Sequence, residues 1–87
     1  MATLNGELTF AAMPRLLGQA DQLAADARLD LAGVSKSDSA GVAFLLELTR
    51  RAKRAGRTLT IAGAPAQTRD LIRFFDLESA LKLDPSA

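Results

Sequence analysis

No cysteine, histidine, tryptophan or tyrosine occurs in this chain of 87 residues. Without cysteine there is no disulfide frame, thiolate metal site or thiol nucleophile, which suits a reducing cytoplasm. Without histidine, the side chain that titrates near neutrality is missing. General acid–base chemistry would rest on carboxylates or lysine alone. The net charge is +1, too near zero for the whole-domain footprint of a DNA-binding protein. Long apolar runs are also lacking. The strongest, Val42 to Leu46, is far too short to span a bilayer. Met1 to Phe10 has no basic segment followed by an apolar run, so no signal peptide is expected.

What is present is an ordinary globular composition, 48% hydrophobic and 24% charged. The length predicts one domain over residues 1–87, with a core too small to enclose a deep active site. Asp26, Asp30 and Asp38 are the acids clustered near one strand. With no histidine and no open glycine-rich phosphate loop, neither a metal nor a nucleotide site is expected, and no cofactor.

Periodicity sets the order of elements. Glu7 to Phe10 alternates polar and apolar as a half-buried strand does, after an Asn5-Gly6 turn, with Ala2 to Leu4 as a stub before it. Pro14 suits a helix start, and the apolar spacing predicts a helix to about Ala25. Arg28 to Val34 reads as a second strand with Leu29 and Leu31 on one face, and Ser35 to Asp38 as a loop. Ser39 to Ala55 is the strongest helix. Arg57 to Ala62 reads as a third strand, and Pro65 opens a helix with Leu71, Ile72 and Phe75 on its apolar stripe. A short helix over Leu77 to Leu83 and a tail from Asp84 complete the chain. Helix-length connections between strands argue for parallel neighbours. The four phenylalanines, Phe10, Phe44, Phe74 and Phe75, read as core, although Phe74 and Phe75 cannot both face inward from one helix.

In the helix from Ser39, Leu45 centres an apolar arc whose edges are Phe44 and Leu46. The arc is wider than the stripe a surface helix needs, so either a neighbouring helix covers the excess or an apolar patch stays exposed near the helix start. Asp38 and Ser39 are both strong N-cap residues, and one of them suffices to cap. Ala40 and Gly41 are small enough to admit a close approach. Arg50, Arg51, Lys53, Arg54 and Arg57 form a basic run that suits a solvated helix C-terminus, with an acidic partner or anionic headgroups as the alternative. No aromatic residue is interleaved for stacking on nucleic acid.

The stretch Leu29-Asp30-Leu31-Ala32-Gly33-Val34 followed by Asp38-Ser39-Ala40-Gly41-Val42-Ala43-Phe44-Leu45-Leu46 resembles the central signature of STAS domains. The likeness continues through Arg50-Arg51-Ala52, Gly56, Thr58-Leu59-Thr60-Ile61 and Phe74-Phe75-Asp76-Leu77. It implies an α/β fold: a STAS-like mixed sheet of about four strands with helices packed mainly on one face, the first strand short or missing. It also implies a working surface at the helix start after Asp38. In anti-anti-sigma members the phosphorylated residue immediately precedes the glycine, where this chain has Ala40. In the small subunits of phospholipid-transport ABC complexes the important hydroxyl follows the aspartate directly, where this chain has Ser39.

The resemblance therefore favours a non-catalytic interaction module that binds the ATPase of an ABC phospholipid transporter maintaining outer-membrane lipid asymmetry. It would be cytoplasmic, peripheral to the inner membrane through that partner, and open to self-association in isolation. Asp38, Ser39, Ala40, Gly41, Val42 and Leu46 are the expected partner-binding residues, and Ser39 is the candidate for modification. A bulky residue at Gly41 is expected to weaken binding with little change in stability. The alternatives are an anti-anti-sigma factor that binds an anti-sigma kinase, and a domain that binds a small molecule.

Overall fold

The computed structural model describes residues 1–84, so the end of the expected tail lies outside the described residues. Two segments, one from Ala2 to Leu8 and the other from Arg28 to Ser37, run side by side through the molecule. Each is interrupted once, so each contributes two strands. β1 (Ala2–Thr3) pairs with β3 (Arg28–Asp30), and β2 (Gly6–Leu8) pairs with β4 (Val34–Ser37). β3 continues the first ladder to β5 (Thr60–Ala62), which pairs with β6 (Lys82–Leu83), giving the order β1-β3-β5-β6. Among the described residues every pair is parallel where a mixed sheet was expected. Helical returns between strands enforce that direction. The stub at Ala2 is thus a two-residue first strand.

The interruption has a local cause. The Asp30 carboxylate accepts from the Ala32 N–H (2.9 Å), and the Val34 N–H donates to the Leu31 carbonyl (3.0 Å), turning the chain between β3 and β4. Ser35 to Ser37, expected as loop, resumes as strand after that turn. A Cβ on Gly63 would stand 2.6 Å from the Asp30 carboxylate, and Gly63 also has φ 67°, so β5 leaves the sheet through glycine.

The helices form one layer in which each touches the next. α1 (Met13–Gly18) and α2 (Ala20–Ala24) divide the expected single helix at Gln19. α3 (Ser39–Arg54) is the long central helix, and α4 (Ala66–Phe74) follows β5. Leu77 to Leu83 holds a turn and then β6 instead of a helix, with Leu81 buried beneath.

Leu8, Leu16, Leu29, Leu31, Leu45, Leu48, Leu59, Ile61 and Ile72 are essentially sealed between the two layers. The excess width of the α3 arc is mostly covered from within. Val42 and Phe44 are buried, and Leu46 is half-buried. α3 packs against α2, where Arg51 Nη1 lies 2.7 Å from Asp21 Oδ1. Three of the four phenylalanines are not core. Phe10 is 76% exposed, Phe74 80% and Phe75 42%. Continuing the alternation from Leu8 would turn Phe10 inward, but the strand stops at Leu8 and a 3-10 turn over Phe10–Ala12 breaks the period.

Candidate functional site

The start of α3 is built around one carboxylate. Asp38 Oδ1 accepts from the Gly41 N–H (3.0 Å), which caps the helix, and Oδ2 accepts from the Phe10 N–H (3.0 Å). The Asp38 N–H donates to the Leu8 carbonyl (3.2 Å). One residue therefore ties β2, the 3-10 turn after it and α3 into a single corner. The Phe10 N–H above all, then those of Gly41 and Ala40 and the charge of Lys36, hold the Asp38 carboxyl below the usual range against its partial desolvation.

With Asp38 doing the capping, Ser39 occupies the first helical position and is exposed, and Ala40 behind it is half-buried. Gly41 and Val42 are not available to a partner. Val42 is 1% exposed, and a Cβ on Gly41 would fall 2.0 Å from the Leu8 carbonyl oxygen. The close approach that Gly41 permits is made by this chain's own β2. The expectation that a bulky residue there would spare stability is thereby overturned. Of the six expected residues, Ser39 is exposed, Leu46 is half-buried, and Asp38 supports the surface from its edge.

Two shallow depressions meet at Ser39. One is lined by Ser37, Asp38, Gln67, Asp70, Leu71 and Phe74, the other by Val42, Ala43, Leu46, Phe75 and Leu77. Phe10 lines a third, which shares Asp38. Phe74 and Phe75 stack edge to face with centroids 5.1 Å apart. Beneath them α4 is fastened to β4. Gln67 Oε1 accepts from the Ser37 N–H (2.9 Å), and the Ser37 and Thr68 hydroxyls lie 2.6 Å apart in the interior.

Phe10 and Phe74 are surface residues although the sequence reads all four phenylalanines as core; the helical period itself puts Phe75, not Phe74, on the apolar stripe. The adjacency of two phenylalanines on one helix was the available signal for Phe74, and Phe10 had none. Among the described residues no group of three acids is placed to hold a metal, no helix is long and apolar enough to cross a membrane, and no buried side-chain polar atom lacks a hydrogen-bond partner.

The fold and this corner define a binding module of the STAS class. The family model described as "Mlab, STAS domain" matches residues 2–83, and the chain belongs to that family. Its members are in general non-catalytic binding modules, and the family implies a protein partner. No curated protein sequence matches the chain. Among solved structures, it is similar to a protein of Thermotoga maritima assigned as an anti-sigma factor antagonist, with a TM-score of 0.76 at 15% identity over 93% of this chain and 75% of that one. It is also similar to the anti-sigma factor antagonist SpoIIAA in its unphosphorylated form, with a TM-score of 0.70 at 18% identity over 94% and 76%. At such identities the likeness is one of fold.

Proposed function

We propose that this chain is the STAS subunit that docks onto the ATPase of an ABC phospholipid transporter through the surface at the start of α3. One observation carries the reading. In a chain of the Mlab STAS family, the first turn of α3 offers Ser39 to solvent beside exposed Phe74, with Ala40 in the position before the glycine. Ala40 has no hydroxyl for the phosphorylation switch of the sigma-regulating branch.

The surroundings support the same reading. Phe74, Phe75 and Leu46 supply apolar area around one polar contact, the composition of a small interface centre. The doubly bonded Asp38 holds that corner in place before any partner arrives, which lowers the ordering cost of binding. Gly41 and Val42 act from beneath, as packing.

The test is affinity capture of the tagged protein from membrane extracts of its own cells, followed by mass spectrometry. An ABC-type ATPase with its permease is the expected yield. Ser39→Glu should abolish that capture while the melting temperature holds to within about 4 °C. A carboxylate in the first helical turn is itself favourable to the helix. Recovery of an anti-sigma kinase instead would overturn the transport reading, and undiminished capture by Ser39→Glu would overturn the surface.

A further inference from the structure

A further depression lies away from the α3 start, at the other end of that helix. It has a volume of about 390 Å³ and is lined by Thr49, Lys53, Arg57, Thr58, Ser79 and Lys82 together with the buried Leu59 and Leu81. Among the described residues three cations line it and no acid does. They come from three separate parts of the chain, namely α3, the loop after it and β6. A solvated helix face accounts for Lys53 alone.

The charge there is not spent on ion pairs. Among the described residues Arg28, Lys36, Arg51, Arg54 and Arg73 make ion pairs, while Lys53, Arg57 and Lys82 make none. The partial charge at a helix C-terminus, about −0.5, offsets less than one of the three.

Arg57 is also held in place. Gly56, with φ 78°, closes α3 with its N–H on the Lys53 carbonyl (3.0 Å), and the Arg57 N–H returns to the Ala52 carbonyl (2.9 Å). Arg57 Nη2 then donates to the Ala24 carbonyl (3.0 Å), a neutral partner that fixes the guanidinium and leaves its charge uncompensated. Thr58 and Ser79 add hydroxyl donors, whereas the Thr49 proton already goes to the Leu45 carbonyl (3.0 Å).

We propose that this depression binds a phosphate-ester anion, with Lys53, Arg57 and Lys82 as the charge-bearing contacts. Several oxygens carrying more than one negative charge match a lining of three cationic residues and two hydroxyls better than a single carboxylate does. The volume lies in the range of small-ligand sites. The same chemistry is offered by a soluble phosphate ester and by an anionic lipid headgroup.

The experiment titrates the isotopically labelled full chain with inorganic pyrophosphate at low ionic strength, following amide shifts. In parallel it sediments the protein with vesicles of phosphatidylglycerol and of phosphatidylcholine. The variant Lys53→Glu/Lys82→Glu is compared with Arg50→Glu/Arg69→Glu, which changes the total charge equally outside the depression and breaks no ion pair of the described residues. Arg57 is left in place because it secures the Ala24 carbonyl.

The expected result is shifts centred on Thr58, Ser79 and Lys82, with affinity reduced about tenfold or more in the first variant and less than about threefold in the second. Pyrophosphate binding without sedimentation assigns the site to soluble esters. Sedimentation with phosphatidylglycerol alone, competed by pyrophosphate, assigns it to headgroups. Absence of binding to both probes, or equal losses in the two variants, overturns the proposal.

Discussion

Gly41 and Asp38 carry the corner where β2 meets α3, and each makes a separate prediction at the scale of the residue. Gly41 is the only residue type that fits there, because a methyl group would penetrate the Leu8 carbonyl, a backbone atom that cannot swing aside. Gly41→Ala should therefore destabilise the fold by about 3 kcal/mol in urea denaturation. A change below about 0.5 kcal/mol would mean that the close contact is not made in solution. Asp38 acts through its charge. The folded state holds its carboxyl below the ordinary value, so its stabilising effect is complete above about pH 4 and disappears as pH falls through the lowered folded value. Asp38→Asn should be less stable than the parent by about 1 kcal/mol near neutrality, with the gap closing as pH falls below the ordinary carboxylate range. A gap constant across that range would contradict the charge-based account.

At the scale of elements, α3 and α4 end alike. In α4 the Asp76 N–H donates to the Arg73 carbonyl and the Leu77 N–H to the Ile72 carbonyl, both at 3.0 Å, repeating the closure of α3. The residue with positive φ is glycine in α3 but Asp76, at 57°, in α4. That conformation is costly for a side chain with a Cβ, and a carboxylate at a helix C-terminus opposes the dipole. Asp76→Gly should raise stability by about 0.5–1 kcal/mol, read as a higher denaturation midpoint at constant slope. A fall in the midpoint would show that the Asp76 side chain contributes something that outweighs both costs.

Elements also differ in how legible they were. α3 was readable to within a residue because its signals are local: an Asp cap, an unbroken apolar arc and a glycine just past its end. The first helix was not, because the break at Gln19, which buries Ala20, Leu23 and Ala24 alongside Leu16, answers to packing across the layer. β6 was misread as helix because two residues hold no periodicity, and its pairing depends on the open edge of β5.

For the whole molecule, the informative surface is apolar. Phe74 is largely in water, its ring edge to face with Phe75, so its burial by a partner would contribute about 2 kcal/mol. Phe74→Ser should cost less than about 1 kcal/mol of fold stability yet weaken partner capture at least tenfold. Retained capture would remove α4 from the interface.

What the sequence by itself determined is everything that rests on local chemistry and spacing. That includes the alternation of strands and helices, the Asp38 cap, the hydroxyl at Ser39 without one at Ala40, and the lack of residues for thiol or imidazole chemistry. Only the tertiary structure decided which apolar side chains stay in water. Val42 and Phe44 went inside while Phe10 and Phe74 stayed out, and Lys53, Arg57 and Lys82 came to line one depression at the far end of α3. Periodicity specifies the face of an element on which a residue lies. Burial and charge clustering depend on what the rest of the chain brings against that face.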